Sequence, residues 1–314
     1  MKRVLVTGAT GFIGRQCLPI LIERGFEVHA VSSAERLPDG HKGSVEWHRA
    51  DLLEPGAVPR IMQDIQPNYL LHLAWFAKPG EYLESPLNLQ WVQASMQLMS
   101  AFSESSGEHF VAAGTCFEYD DEYGYCREGR TPLAPKSLYG TCKSALQSIL
   151  SAQAERCEVR CAWGRIFFLY GQHEHPNRLV ASVIRSLLSG ETARCSPGTQ
   201  IRDFMHVEDV ARAFVALLES DVSGPVNICS GRPTALKDII ECIATELDAH
   251  ELVQLGALPQ RANEPKLLVG DATRLTEEVA FTPGFDLVEG IARTIAWWDQ
   301  NLGLNNYRKN SKYE

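Results

Sequence analysis

The chain has 314 residues, 45% of them hydrophobic and 22% charged, which is typical of a soluble globular protein with two packed units or one large one. Its formal net charge is −9 without a basic block, which argues against nucleic-acid binding as the main role but not against a local site for a phosphorylated small molecule. No apolar run approaches the ~20 residues that cross a bilayer, so we expect a cytoplasmic protein that does not bind membranes.

The first half of the chain alternates short β-branched runs with longer helical patterns. Strands are predicted at Arg3 to Thr7, Glu27 to Val31, Val45 to Arg49, Tyr69 to Ala74, His109 to Ala113 and Val159 to Phe168. Helices are predicted at Gly14 to Arg24, Val58 to Asp64, Asn88 to Ser103 and Leu138 to Arg156. Such alternation indicates an α/β fold with a doubly wound, Rossmann-type parallel sheet.

After Gly171 the pattern changes to a smaller, mixed α+β unit. Helices are predicted at Leu179 to Leu188, Glu208 to Leu218, Ala235 to Leu247 and Leu287 to Asn301, and short strands at Phe204 to Val207 and Pro225 to Ile228. We predict that residues 1–171 and about 203–230 form the sheet domain. Residues 172–202 and 231–314 would then form a C-terminal domain that completes a binding site.

The cysteines indicate a reducing environment. The chain has nine, an odd number, and none of them forms a CxxC pair. Cys157 and Cys161 are four residues apart but lack a second pair at zinc-site spacing. We therefore expect free thiols, and the cysteine spacing predicts no metal site.

A glycine-rich turn follows the first predicted strand and opens the first helix. Gly8 permits a tight turn, Gly11 lets backbone amides approach a pyrophosphate, and Gly14 lets the helix pack on the sheet. The strand–turn–helix context at the start of an alternating chain favours a dinucleotide site over a turn without a ligand. The residues predicted to bind it here are Gly8, Thr10, Gly11, Phe12, Ile13 and Gly14.

The end of the second strand bears on the choice of cofactor. An acid there would bind the adenosine ribose hydroxyls of NAD and repel the phosphate of NADP. This chain has Ser32 and Ser33 instead, followed by Arg36, which favours NADP over NAD. In the alternative interpretation, Arg36 is a solvated loop charge and Glu35 supplies the acid.

Two later strand ends add cofactor contacts. Asp51, followed by Leu52, could accept a hydrogen bond from the adenine amino group, although a turn or N-cap aspartate is nearly as plausible. Small residues after the fourth strand would let the chain pass beneath a cofactor. That stretch is Leu73, Ala74 and Trp75. His72 lies inside an apolar run and is predicted to be a packed core histidine.

Tyr139 and Lys143 lie four residues apart on a predicted helix and can therefore reach one pocket. An ammonium group beside a phenol favours phenolate and lowers its pKa, and such a phenol can exchange a proton with a carbonyl or an alcohol. Thr115 ends an earlier strand, and its hydroxyl could polarise the same carbonyl. Alone, this spacing also fits a surface helix.

The ordered set of motifs carries a family resemblance that covers nearly the whole chain. Thr7 to Gly14, Thr115, the Tyr139-x-x-x-Lys143 pair and Arg202 to Val210 together resemble the extended short-chain dehydrogenase/reductase family, in its nucleotide-sugar epimerase/dehydratase/reductase group. The resemblance implies a catalytic triad of Thr115, Tyr139 and Lys143, with Lys143 also holding the nicotinamide ribose. It further implies a homodimer formed through a four-helix bundle.

The same resemblance implies how an acidic chain would bind an anionic substrate. Arg202 would bind the diphosphate of a nucleotide sugar, and Arg261 could bind it from a second side. Arg178 could contribute as well. The alternative for each arginine is a surface salt bridge.

Cys116 and Phe117 depart from the pattern of the 4,6-dehydratases, which have Asp-Glu directly after the catalytic threonine. Dehydration is therefore disfavoured, and two enzyme activities remain. In the first, NADPH reduces a 4-keto sugar nucleotide and Tyr139 supplies the proton. In the second, the enzyme is an epimerase, acting at C4 with retained NAD or at C3 and C5 with His173 as acid/base. For His173 the alternative is an inert loop residue. For the whole protein the further alternative is a non-catalytic NAD(P)-binding regulatory protein.

Overall fold

The structure, a computed structural model, describes residues 2–34, 43–105, 107–260 and 264–310. The strands are β1 (Arg3–Thr7), β2 (Glu27–Ser32), β3 (Val45–Arg49), β4 (Tyr69–His72), β5 (His109–Thr115), β6 (Tyr125–Cys126), β7 (Arg160–Ile166), β8 (Phe168–Tyr170), β9 (Ala193–Arg194), β10 (Ile201–His206), β11 (Gly224–Ile228), β12 (Pro233–Ala235), β13 (Val253–Gln254) and β14 (Leu267–Gly270). The helices are α1 (Gly14–Glu23), α2 (Ala57–Ile65), α3 (Leu87–Glu104), α4 (Leu138–Cys157), α5 (Leu179–Leu188), α6 (Val207–Glu219), α7 (Leu236–Glu246) and α8 (Leu287–Asn310).

Seven parallel strands form the central sheet, in the order β11-β7-β5-β4-β1-β2-β3. Successive side chains of a strand point to opposite faces, so each strand serves two helical layers. In β1, Val4 and Val6 pack with α1 and α6, whereas Leu5 packs with α2, α3 and α4. Both faces are buried, as is usual for parallel sheets covered by helices. The doubly wound α/β fold is confirmed.

A smaller sheet has the order β12-β10-β14-β6, with β8 also paired to β10. In the chain, β6 follows β5 and β8 follows β7. Helices α5, α7 and α8 share a separate apolar core beside this smaller sheet. The chain also returns to the large sheet, because β11 pairs with β7 and α6 packs beside α1. Each of the two sheets is thus built from segments that are not contiguous in the chain.

Two predicted strands differ from those observed by more than a shift of one or two residues at an end. The run from Val159 to Phe168 is not one strand, because the Phe167 amide bonds to the Ile228 carbonyl at 3.2 Å and the chain then leaves the large sheet as β8. The strand predicted from Phe204 begins earlier, at Ile201. Its second and third residues are the buried charged residues Arg202 and Asp203, so a hydrophobicity pattern does not indicate a strand there.

Two observations bear on the expected environment of the protein. None of the described helices is long and apolar enough to cross a membrane. The nine cysteines are all free thiols, and seven of them are buried.

Candidate active site

A cavity of ≈ 240 Å³ opens at the carboxyl ends of β1 to β4, the edge at which open α/β sheets bind ligands. It brings together ten of the residues predicted for a dinucleotide: Gly8, Thr10, Gly11, Ser32, Ser33, Asp51, Leu52, Leu73, Ala74 and Trp75. Val31, Ala50 and Trp91 complete the lining, and sequence reasoning missed them as site residues. Val31 and Ala50 directly precede predicted residues, and their position at strand ends was the available signal.

The glycine turn fits tightly against the end of β4. Gly8 has φ +67°, and a Cβ there would lie 2.7 Å from the backbone nitrogen of Ala74. A Cβ at Gly14 would lie 2.2 Å from the Gly8 carbonyl oxygen, so the third glycine lets α1 start close to the turn. Phe12 and Ile13 continue the turn outside the cavity lining, and Ile13 packs against the core. This open, side-chain-free cradle fits the pyrophosphate of a dinucleotide.

The adenosine end of the cavity contains the predicted serines and aspartate. Ser32 accepts a hydrogen bond from the Ala34 amide at 3.2 Å, and Ser33 lies beside it in the lining. Asp51 accepts from the Leu53 amide at 3.0 Å, which is the geometry of an Asx turn. Arg36, on which the preference for NADP depends, lies outside the described residues.

Tyr139 and Thr115 meet because α4 begins close to the turn after β5. Ser137 caps the helix by accepting from the Gly140 amide at 3.1 Å. A Cβ at Gly140 would lie 2.4 Å from the Phe117 carbonyl oxygen, so glycine permits this approach. Thr115 lies close enough to Tyr139 for their side chains to interact, and this interaction lowers the pKa of Tyr139 in opposition to its burial. The structure thus brings together two of the three predicted catalytic residues directly.

Lys143 lies one turn further along α4 and makes different contacts from those expected. Its Nζ donates to the Ala113 carbonyl at 2.7 Å and lies 3.6 Å from the centroid of the Trp75 ring. Burial lowers the pKa of Lys143 to about 7. Burial also raises the pKa of Tyr139, and the neighbouring Tyr82 raises it further. The expected lowering of the phenol pKa by an ammonium is therefore not observed, because desolvation of the phenol dominates.

Glu118 supports Thr115, the predicted catalytic threonine, and was missed by sequence reasoning. Its buried carboxylate accepts hydrogen bonds from the Thr115 amide at 2.8 Å and from Trp163 Nε1 at 2.9 Å. It also pairs with the buried Arg165, whose Nε lies 2.7 Å away. The Thr115-x-x-Glu118 spacing is that of a capping box, and this signal could have found Glu118 in the sequence.

The predicted substrate residues occupy two places around this centre. Arg178 lies over the Tyr82 ring at 5.7 Å, and that ring is 5.0 Å from the ring of Tyr139. Arg202 is buried, lies 5.4 Å from the Phe168 ring and pairs with Glu264 at 3.3 Å.

Phe117 connects Arg202 to the turn after β5, because its ring is 6.2 Å from that of Phe168, over which Arg202 lies. Cys116, its neighbour, is buried in an apolar cluster with Cys126 and Leu268, and burial raises the pKa of its thiol. Arg261 lies outside the described residues.

His173 lies beside the glycine turn. Its Nδ1 is 2.7 Å from Nη1 of Arg15, whose other nitrogens donate to the carbonyls of Thr10 and Gly11. Its ring also packs against Trp297 at 4.5 Å, and burial together with Arg15 lowers the pKa of His173 to about 4. In the part of the chain that the structure describes, no hydrogen bond or ring contact joins His173 to Tyr139.

His72 and Trp75 form the inner wall next to Lys143. His72 is bonded on both ring nitrogens, to Thr7 at 2.7 Å and to Ser95 at 2.8 Å, as a packed core histidine should be. Trp75 is anchored by Nε1, which donates to Asn88 at 2.7 Å. The indole therefore holds a defined position between the dinucleotide cavity and the buried amine.

Known proteins with similar sequences and folds place this geometry in context. UDP-glucuronic acid decarboxylase 1 of Danio rerio is 26% identical, over 99% of this chain and 75% of its own length. dTDP-6-deoxy-L-talose 4-dehydrogenase (NAD(+)) of Aggregatibacter actinomycetemcomitans is 24% identical, over 85% of this chain and 98% of its own length. The structure of MoeE5 in complex with UDP-glucuronic acid and NAD superimposes with a TM-score of 0.82 at 29% identity, covering 95% of this chain and 99% of that one.

The family model covers the residues that form the cavity and the turn after β5. The model of the NAD dependent epimerase/dehydratase family matches residues 4–229, a range that contains the glycine turn, Thr115, Tyr139 and Lys143. It also contains the carboxyl ends of β1 to β4, which form the cavity. This chain, which matches the family model from β1 to β11, therefore belongs to the NAD-dependent epimerase/dehydratase family.

Proposed function

We propose that the protein is an NAD(P)-dependent oxidoreductase of nucleotide-linked sugars that reduces a 4-keto group at C4, with Tyr139 as the proton donor. The closeness of Tyr139 to Thr115, with the Tyr139 ring 6.4 Å from that of Trp75 in the lining of the dinucleotide cavity, is the observation that carries this proposal. The names of the relatives support the substrate class, because they include a dTDP-sugar 4-dehydrogenase and a UDP-sugar decarboxylase.

The side chains supply the proton half of the reaction. The reduced nicotinamide, when bound, supplies the hydride that adds to the carbonyl carbon. Tyr139 gives its phenolic proton to the carbonyl oxygen, which becomes the new hydroxyl, and Thr115 donates a second hydrogen bond to that oxygen. The Tyr139 phenolate then regains a proton from solvent. A raised pKa keeps Tyr139 protonated before the reaction, which favours its role as the donor.

Two arginines supply a means of holding an anionic substrate. Arg178 is next to the Tyr82–Tyr139 ring pair, and Arg202 lies beneath Phe168. Guanidinium groups bind phosphate oxygens through paired hydrogen bonds, so we infer that these residues hold the diphosphate. Glu264 now pairs with Arg202, and a bound diphosphate would compete with that carboxylate.

Epimerisation at C4 is the alternative function, and it uses the same hydride and proton transfers in both directions. Epimerisation at C3 and C5 has less support, because it needs further acid/base groups near the sugar. Cys116 is buried in an apolar cluster, and His173 is paired with Arg15 beside the glycine turn. A purely regulatory protein is disfavoured, because Thr115 lies beside Tyr139, and both Tyr139 and Lys143 contact Trp75 of the cavity lining.

The test is to mix the purified protein with NADPH or NADH and a 4-keto-6-deoxy sugar nucleotide, and to follow the absorbance of the reduced nicotinamide. Consumption is expected for the reductase. Inversion at a sugar carbon without net consumption would replace the reductase with the epimerase. Inactivity across a broad panel of nucleotide sugars would favour the binding protein.

The variant Tyr139→Phe should lose turnover by about 10²- to 10⁴-fold, because it removes the proton donor, while cofactor affinity stays the same. Cofactor binding is measured by nicotinamide fluorescence and turnover by product formation. Tyr123→Phe, which removes an exposed phenol outside the cavity, is the matched control and should retain activity. Turnover that survives in Tyr139→Phe would refute the mechanism.

A further inference from the structure

Two histidines and a glutamate meet at the outer edge of the large sheet. In the pairing of β2 with β3, His29 lies opposite Glu46, and Val31 lies opposite His48. Glu46 and His48 are two residues apart in β3, so their side chains point to the same face, which is also the face of His29. Strand register alone therefore places the three side chains together.

The donor atoms of these side chains are spaced like the ligands of one small cation. Nδ1 of His29 is 2.9 Å from Nε2 of His48 and 3.7 Å from a carboxylate oxygen of Glu46. Nε2 of His48 is 3.8 Å from the other oxygen of Glu46. Tetrahedral Zn²⁺ with bonds of about 2.0–2.2 Å keeps its ligand atoms roughly 3.3–3.6 Å apart. Shifts of a few tenths of an ångström would bring these donor atoms to that spacing.

Glu27 orients the buried histidine toward this cluster. Its Oε1 lies 3.1 Å from Nε2 of His29 and also accepts from Nε of Arg3 at 2.9 Å. When Nε2–H donates to the carboxylate, Nδ1 carries the lone pair that faces Glu46 and His48. Histidines that bind metals commonly have such a carboxylate partner on the other ring nitrogen.

We propose that His29, Glu46 and His48 form a binding site for a divalent cation of the zinc type. Two imidazoles and one carboxylate are a donor set that suits Zn²⁺, with a water molecule in the fourth position. His29 and His48 are mostly buried, whereas Glu46 is exposed, so an ion enters from the solvent side. The cysteine spacing could not indicate this site, because its ligands are two histidines and a glutamate that come from two paired strands.

The site is separate from the proposed reaction. Three strands, β2, β1 and β4, lie between β3 and β5, the strand that ends at Thr115. A bound ion would link β2 to the edge strand β3. Binding to the native state alone raises its stability by mass action, so the ion should stabilise the fold without entering the chemistry.

The experiment is a titration of chelator-treated full-length protein with Zn²⁺ alone, followed by calorimetry and by thermal unfolding. One ion per chain and a higher Tm are expected for the wild type. Glu46→Gln and His48→Gln should each weaken binding by about tenfold or more and abolish the Tm shift. Both changes lie at or near the surface, and the Tm without zinc checks that each variant folds.

The matched control is His250→Gln, because His250 forms an exposed histidine–glutamate pair with Glu241 at 3.1 Å. Its zinc binding should equal that of the wild type. Co²⁺ absorption provides a second readout, because nitrogen and oxygen ligands give visible bands without the strong thiolate charge-transfer band of cysteine sites. Zinc binding that Glu46→Gln and His48→Gln leave unchanged, a thiolate spectrum, or no binding at all would overturn the proposal; in the last case the two rings form only a hydrogen-bonded pair.

Discussion

Lys143 shows how one buried side chain departs from its usual chemistry. The residue is 3% exposed, and its amine donates to the Ala113 carbonyl and lies on the face of Trp75. Burial disfavours the ammonium form, and the carboxylate of Glu118 offsets only part of that cost. An amine with a pKa of about 7 can release or take up a proton near neutral pH, so it can help Tyr139 recover its proton.

The same shift predicts a pH-dependent stability. A lysine in the unfolded chain has a pKa of about 10.4. Between pH 7 and about 10.4 the unfolded state binds the proton and the folded state does not, so raising the pH increases the free energy of unfolding. Below pH 7 both states bind the proton, and the full cost of burying the ammonium group lowers the stability of the fold. Relative to Lys143→Met, the wild type should therefore gain up to about 1.4 kcal/mol of unfolding free energy for each pKa unit of the shift.

Urea unfolding of both proteins without cofactor, from about pH 6 to pH 10, measures this difference. The constant cost of leaving the Ala113 carbonyl without its donor does not affect the slope. The exposed Lys237→Met serves as the control and should give a flat difference. A flat difference for Lys143→Met as well would contradict the buried, neutral amine.

At the scale of elements, two close approaches build the site. The glycine turn lies against the backbone at the end of β4, and the start of α4 lies against the turn after β5. At Gly8 and at Gly140 a side chain would meet backbone atoms, which cannot move aside as a flexible side chain can. Such positions require glycine for space rather than for conformation alone.

Gly8→Ala and Gly25→Ala separate space from backbone strain. Both glycines have positive φ, +67° and +76°, but an added Cβ meets Ala74 at 2.7 Å in the first and nothing within 4 Å in the second. Gly25→Ala should cost about 1–2 kcal/mol of unfolding free energy. Gly8→Ala should cost more and also weaken cofactor binding by about tenfold or more, because the turn must shift away from β4.

Denaturant unfolding and nicotinamide fluorescence titration measure the two effects. Equal stability losses with unchanged cofactor affinity in both variants would mean that the contact between the turn and β4 has no role in binding.

At the scale of the whole molecule, α3 and α4 form one outer face of the large sheet. Their inner sides bury Leu98, Met99, Leu146 and Leu150. The outer sides expose Leu89 to 55% and Ile149 to 41%, and α3 has no charged residue from Leu87 to Ser103. The absence of charge on this part of α3, together with the exposed aliphatic groups on both helices, supports the predicted homodimer through a four-helix bundle.

Ile149→Asp should convert that dimer to a monomer, because it places a charge in the helix interface. Val288→Asp changes a similarly exposed residue, at 52%, on α8 and should leave the dimer intact. Light scattering coupled to size-exclusion chromatography gives the mass of each. A wild-type monomer, or a dimer in both variants, would rule out this interface.

The sequence by itself determined the large sheet, the glycine turn and the position of Tyr139 and Lys143 one turn apart on α4. These features depend on local signals: apolar strand runs, helical spacing and a glycine pattern at a strand end. The helix over Leu179–Leu188 and the strands over Arg3–Thr7 and Val45–Arg49 have their predicted bounds, because each combines a clear periodicity with a stop signal.

The tertiary structure alone decided which distant residues meet and how burial changes their chemistry. The charged strand β10, the Trp75–Lys143 contact and the pairing of His173 with Arg15 depend on packing between segments far apart in the chain. The pKa of Tyr139 is raised, against the expectation from spacing, and that of Lys143 is lowered, because desolvation depends on everything around a group. Local sequence encodes periodicity and turn chemistry, whereas burial is a property of the whole fold.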